Sequence, residues 1–174
     1  AVIETIEQIC AKKYIESREY QEIKGKAIDI ILKTQEENER KKSVSQFADT
    51  AVKMLKEMGY DIEDESVDGS NEDEVNKLKN GTPVYLNSGD GEYRIMAKLN
   101  DNGELGTRVV RLVEDTTEKE NLSSYQMQKD AEHAVKWCRD YDKFIGKLEK
   151  EGIKPEIKIR KEPSEEHVVY ITRK

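Results

Sequence analysis

The stretch MQKDAEHAVKWCRDYDKFIGKL, Met127 to Leu148, decides the fold. Met127, Ala131, Ala134, Cys138, Tyr141, Ile145 and Leu148 follow one another at alternating steps of four and three residues. That spacing aligns them on one side of a helix. Trp137 and Phe144 lie one step beside the stripe and widen it. Ser123 with Gln126 predicts a capping box at the start, and Gly152 followed by Pro155 marks the end. A helix with one broad apolar side needs a surface to cover.

The residues just upstream supply that surface. Thr82 to Asn87 reads as a strand running into the turn Ser88-Gly89-Asp90-Gly91. Glu92 to Leu99 alternates, with Tyr93, Ile95, Ala97 and Leu99 on one side and Arg94, Met96 and Lys98 on the other. Asn102-Gly103 is a strong hairpin signal, and Gly106 to Glu114 follows with Val109, Val110, Leu112 and Val113. Tyr60 to Val67 reads as a weaker strand and Asp115 to Glu120 as a charged loop. After the helix, Glu156 to Lys161 and His167 to Thr172 read as two strands joined through Glu162-Pro163-Ser164-Glu165. The expected fold class is α+β: an antiparallel meander of three to four strands plus a C-terminal β-hairpin, packed on the long amphipathic helix, with an N-terminal helical arm.

The arm is residues 1–42. It is rich in Glu, Lys, Ile and Gln, with one Gly and no Pro. Val2, Ile6, Ile9, Tyr20, Ile23, Ala27 and Ile30 fit a helical stripe that Lys13 and Glu16 interrupt. Glu22 with Lys26, Glu36 with Arg40, and Glu37 with Lys41 are oriented to pair across one turn. This pattern suits a long, exposed helix and a coiled coil. Ser43 with Gln46 resembles a capping box, so a second helix is expected to begin near residue 43 and to stop at Gly59. Residues 43–174 then form the α+β domain, with an acidic loop at 61–81 in which Asp68 to Gly81 reads as a solvated loop or a short charged helix.

Composition restricts the chemistry. Of 174 residues, 39% are charged and 35% hydrophobic, a balance that suits a thin core and solvated helices. The net charge is −7, and Asp61 to Glu74 alone carries eight acids and no base. That argues against general nucleic-acid binding, which needs a concentrated excess of Lys and Arg. The acids read as a solvated loop guarding a sheet edge, since their spacing lacks the alternation of a calcium loop. Cys10 and Cys138 fall at apolar helix positions and are too few for a disulfide framework, which points to a reducing cytoplasmic setting. No run approaches the roughly 18 apolar residues of a membrane span. Ala at position 1 reads as the mark of a piece excised from a longer helical protein.

Candidate reactive groups are sparse. His133 and His167 are the two histidines. His133 and Cys138 are five apart on one helix and point in different directions, so they make no catalytic pair. A zinc site would have to recruit all four Cys and His residues without a close-spaced pair. Asp130-x-x-His133 is a single copy of a motif that di-iron bundles use twice, and on an exposed helix it reads as a solvated polar pair. Gly89 and Gly91 lead into a strand where a phosphate loop needs a helix. No catalytic, metal or cofactor residue is expected.

The expected function is therefore a non-catalytic protein–protein interaction or self-association module, a homodimer through the helical arm. One alternative is a nucleic-acid-associated protein using a C-terminal surface of Lys143, Lys147, Lys158, Arg160 and Tyr170, where basic and aromatic residues interleave. A second is an enzyme whose carboxylates assemble from distant strands.

Overall fold

The computed structural model describes Glu4, residues 17–63 and residues 72–172. Cys10, the beginning of the arm, Asp64 to Asp68 of the acidic run, and Arg173 and Lys174 lie outside the described residues. The chain divides into two compact units with the boundary between Ser43 and Val44.

Helix α1 spans Ser17–Glu57 without interruption. The break expected near residue 43 is not there. No Gly or Pro lies between Lys26 and Glu57, and Ser43 sits inside the helix, where Ser is tolerated when its neighbours are good helix formers. In the first unit almost every residue of this helix is exposed. In the second unit its end becomes apolar, and Ala48, Ala51, Val52, Met54 and Leu55 are buried. Gly59, at φ +86°, ends the helix in the left-handed conformation that favours glycine.

The second unit is an α+β body. After α1 come β1 (Asp61–Ile62), α2 (Glu72–Lys79), β2 (Val84–Asn87), β3 (Tyr93–Leu99), β4 (Leu105–Val113), a 3₁₀ turn (Thr116–Asn121), α3 (Ser124–Lys150), a second 3₁₀ turn (Glu165–His167) and β5 (Val169–Thr172). The described strands form one five-stranded sheet in the order β1-β2-β3-β4-β5. The first four are antiparallel, as a meander requires. β5 lies parallel to β4, with Val110 opposite Val169 and Val113 opposite Thr172. The expected C-terminal hairpin therefore does not form. α3 carries the chain back along the sheet, and a strand that follows such a crossover runs in the same sense as the one before it. Glu156 to Lys161 has no regular secondary structure.

Register puts Tyr93, Ile95, Ala97 and Leu99 of β3 beside Arg111, Val109, Thr107 and Leu105 of β4 on one face. Leu86 and Val84 of β2 and Ile62 of β1 extend that face. The end of α1 and α3 share one apolar cluster with it. On α3 the buried residues are Asp130, Ala134, Trp137, Phe144 and Leu148. The centre of packing is thus rotated toward Trp137 and Phe144: Met127 is 41% exposed, and Cys138 is only half-buried. Aromatic rings demand the most burial, and they set the helix's rotation. Trp137 meets Tyr60 edge-on at 5.5 Å and Tyr141 at 5.9 Å, and Tyr141 meets Phe144 at 6.1 Å.

Candidate functional site

Asp130 lies on the first turns of α3, four residues before Ala134 and seven before Trp137, at the head of the buried stripe. Its position directs the carboxyl group at the sheet, where β3, β4 and β5 place Tyr93, Arg111 and Tyr170 side by side. Asp130 has no accessible surface. The Tyr93 hydroxyl donates to Oδ1 at 2.5 Å and the Tyr170 hydroxyl to Oδ2 at 2.5 Å. Arg111 donates to Oδ1 at 3.3 Å, and its guanidinium lies 5.6 Å from the Tyr93 ring centre and 5.7 Å from that of Tyr170. The three groups bonded to this carboxylate are all donors, and one of them is a guanidinium, so the charge is paired.

The surroundings determine what this cluster can do. Burial, and then the hydrogen bond to Asp130, push the Tyr170 hydroxyl up to about 12. The same two causes raise Tyr93 further. Both phenols stay protonated at neutral pH and act as donors, not as bases. The cluster ties α3 to three strands. It presents no group free to attack or to accept a proton.

Next to it, His133 stacks on the Tyr93 ring, with centroids 3.6 Å apart and planes 11° from parallel. Its Nε2 lies 3.5 Å from Asp90 Oδ2. Burial lowers the His133 pKa more than Asp90 raises it, so the ring is mainly neutral at pH 7. Ser88 shares the shallow recess beside this ring, but its hydroxyl is approached by Lys136 Nζ at 3.5 Å. The solvated Asp130–His133 pair expected from sequence is thus corrected: Asp130 is buried and His133 largely covered. Local pattern marks an acid as polar. The signal that identifies Asp130 is its place in the Ala134–Trp137 register.

A second feature is a cavity of about 480 Å³ between α3, the first half of β4 and residues 157–169. Trp137, Cys138 and Tyr141 line one wall, Leu105 to Val109 another, and Ile157, Ile159 and Val168 a third. Cys138, which the spacing placed on the apolar stripe, lines this cavity and is half-buried.

The five residues singled out for a C-terminal surface are placed as follows. Lys143 pairs with Asp140 at 3.0 Å, and Lys147 with Glu57 at 3.3 Å. Lys158 pairs with Glu104. Arg160 grips Asp142 with two hydrogen bonds of 2.6 and 3.0 Å. Tyr170 belongs to the Asp130 cluster and is 8% exposed, so its ring offers no stacking platform. Each of the four cations is held by a carboxylate of the same chain.

Among the described residues no three His, Cys, Asp or Glu side chains gather as a metal-binding set, and no helix is long and apolar enough to cross a membrane.

Comparison with protein-family models, curated proteins and solved structures finds no match to this chain.

Proposed function

We propose that this chain is a non-catalytic self-association module in which the exposed part of α1 pairs with the same segment of a second copy. The observation that carries this is the exposure of Tyr20, Ile30 and Ile31, which are between 43% and 56% accessible. At 100° per residue, Tyr20, Ile23, Ala27, Ile30 and Ile31 fall in one arc about 100° wide. A helix of this composition gains little from propensity alone and persists through packing of its apolar side. Tyr20, Ile23, Ala27 and Ile30 recur at steps of three, four and three, the spacing of a two-helix seam, and an identical helix supplies the complementary stripe.

The Asp130 cluster supports the non-catalytic part of this proposal. Its donors are committed to one carboxylate, and the tyrosines around it remain protonated. A reducing, cytoplasmic setting fits two cysteines in a chain of this length.

The test is site-specific cross-linking. With Cys10 and Cys138 replaced by Ser, a single cysteine at Ile30 should form an intermolecular disulfide readily under mild oxidation. One at Lys33, off the apolar arc, should not. Equal cross-linking at both positions removes the proposed seam.

A further inference from the structure

Among the described residues, the first half of β4 has one edge without a strand partner. Leu112 N–H donates to Glu92 O at 2.7 Å, and Asn100 N–H donates to Glu104 O at 3.1 Å. Even-numbered β4 residues therefore face β3, and the alternation of an antiparallel ladder turns the N–H and C=O groups of Leu105 and Thr107 the other way. Among the described residues, β5 pairs with that outer edge from Val110 to Val113. Beside the uncovered part, across the cavity, runs the segment Glu156 to Lys161. It travels in the same sense as β4: Lys158 is paired to Glu104 at the start of that strand, and Val169 lies beside Val110 further along.

This segment has a strand's sequence without a strand's partners. Ile157 and Ile159 alternate with Lys158 and Arg160, and Pro155 precedes them, where a strand can begin. Ile157 is 45% exposed and Ile159 is 84% exposed at the rim of an apolar cavity. Lys158 and Arg160 hold the segment to the body through Glu104 and Asp142. Both ion pairs are solvent-exposed, and such pairs are weak beside the burial of two isoleucines.

We infer that Glu156–Lys161 is a strap that closes on the open edge of β4. In the closed state it adds a short parallel strand to that edge, joined to β5 through residues 162–168, its backbone bonds to Leu105 and Thr107, and Ile157 and Ile159 fill the cavity against Trp137 and Tyr141. The conformation described here is the open one, latched by Arg160 on Asp142. The strap controls access to the cavity and is independent of the α1 seam.

Two readouts test it. The amide of Thr107 exchanges with solvent when the edge is open and is protected when the strap is paired. Trp137, the chain's single tryptophan, lines the cavity and reports its access to a quencher. Asp142→Asn and Arg160→Gln release the latch from opposite sides, both at exposed positions. Each is expected to slow Thr107 exchange by about tenfold and to reduce acrylamide quenching of Trp137. Adding Ile159→Asp to either should restore the parent values. Any other result in the pair of latch variants overturns the strap. So does protection of Thr107 that grows with protein concentration, which would assign the edge to a strand from a second copy.

Discussion

Tyr170 donates its hydroxyl hydrogen to Asp130 across 2.5 Å, joining the last strand of the sheet to the first turns of α3. Tyr93 makes the matching bond from β3 at 2.5 Å, so one carboxylate fastens strands that are far apart in the chain. Removing the carboxylate leaves two buried hydroxyls without their acceptor, and Arg111 keeps the longer contact to Glu92, at 3.5 Å, and its place over the two tyrosine rings. Asp130→Ala should therefore destabilise the body by about 3–5 kcal/mol. Tyr170→Phe removes one donor and should cost about 1–2 kcal/mol. Urea unfolding followed by Trp137 fluorescence measures both.

Acid should weaken the fold in two separate windows. The His133 pKa is lowered in the folded chain, chiefly by burial, so the unfolded chain binds its proton first. The stability this residue contributes is complete above the unfolded value, about 6.5, and falls as pH drops below it. Asp90 and Asp140 have lowered pKa values: burial raises each, but bonds from the Glu92 and Tyr93 backbone and from Tyr60 and Lys143 outweigh it. Their contribution is lost only below about 4. His133→Phe keeps a ring on Tyr93, and it should flatten the first window and leave the second. Denaturant midpoints across pH check this.

Alkali should act through the tyrosines. Tyr170 ionises near 12 in the folded chain and near 10 when unfolded, so the folded state holds its proton longer. Its stabilisation is complete below pH 10 and declines as pH rises from there toward 12. Absorbance at tyrosinate wavelengths should show ionisation of the buried phenols rising together with loss of helical circular dichroism. Tyr170→Phe should make that late step smaller.

The rotation of α3 can be read by substitution. Phe144 is 1% exposed and Met127 is 41% exposed. Phe144→Ala should cost about 3–5 kcal/mol, whereas Met127→Ala should change stability by no more than about 0.5 kcal/mol. Comparable losses at the two sites would restore the stripe suggested by spacing alone.

Features set by neighbours in sequence were legible from the sequence. Gly103 sits at φ +80° in the hairpin that Asn102-Gly103 announced, with Glu104 accepting from the Asn100 amide at the first rung. The capping box at Ser123 is present, with Gln126 N–H donating to Ser123 Oγ at 3.2 Å and Ser123 N–H donating to Gln126 Oε1 at 2.9 Å. Features set by distant partners were not. The register with Ala134 and Trp137 marks Asp130 as inward-facing, but its partners Tyr93, Arg111 and Tyr170 come from strands 19 to 40 residues away and no local pattern names them. Glu156 to Lys161 has the alternation of a strand, yet pairing depends on an edge of β4 that no local pattern encodes. Ser43 carries a capping signature that a continuing helix overrides.

Sedimentation velocity of the full chain through the micromolar range tests the self-association of α1 most directly. A dimer that dissociates on dilution, and that becomes a monomer when Ile23 and Ile30 are both changed to Asp, is the predicted result. A monomer at every concentration, or a dimer indifferent to those two substitutions, contradicts it.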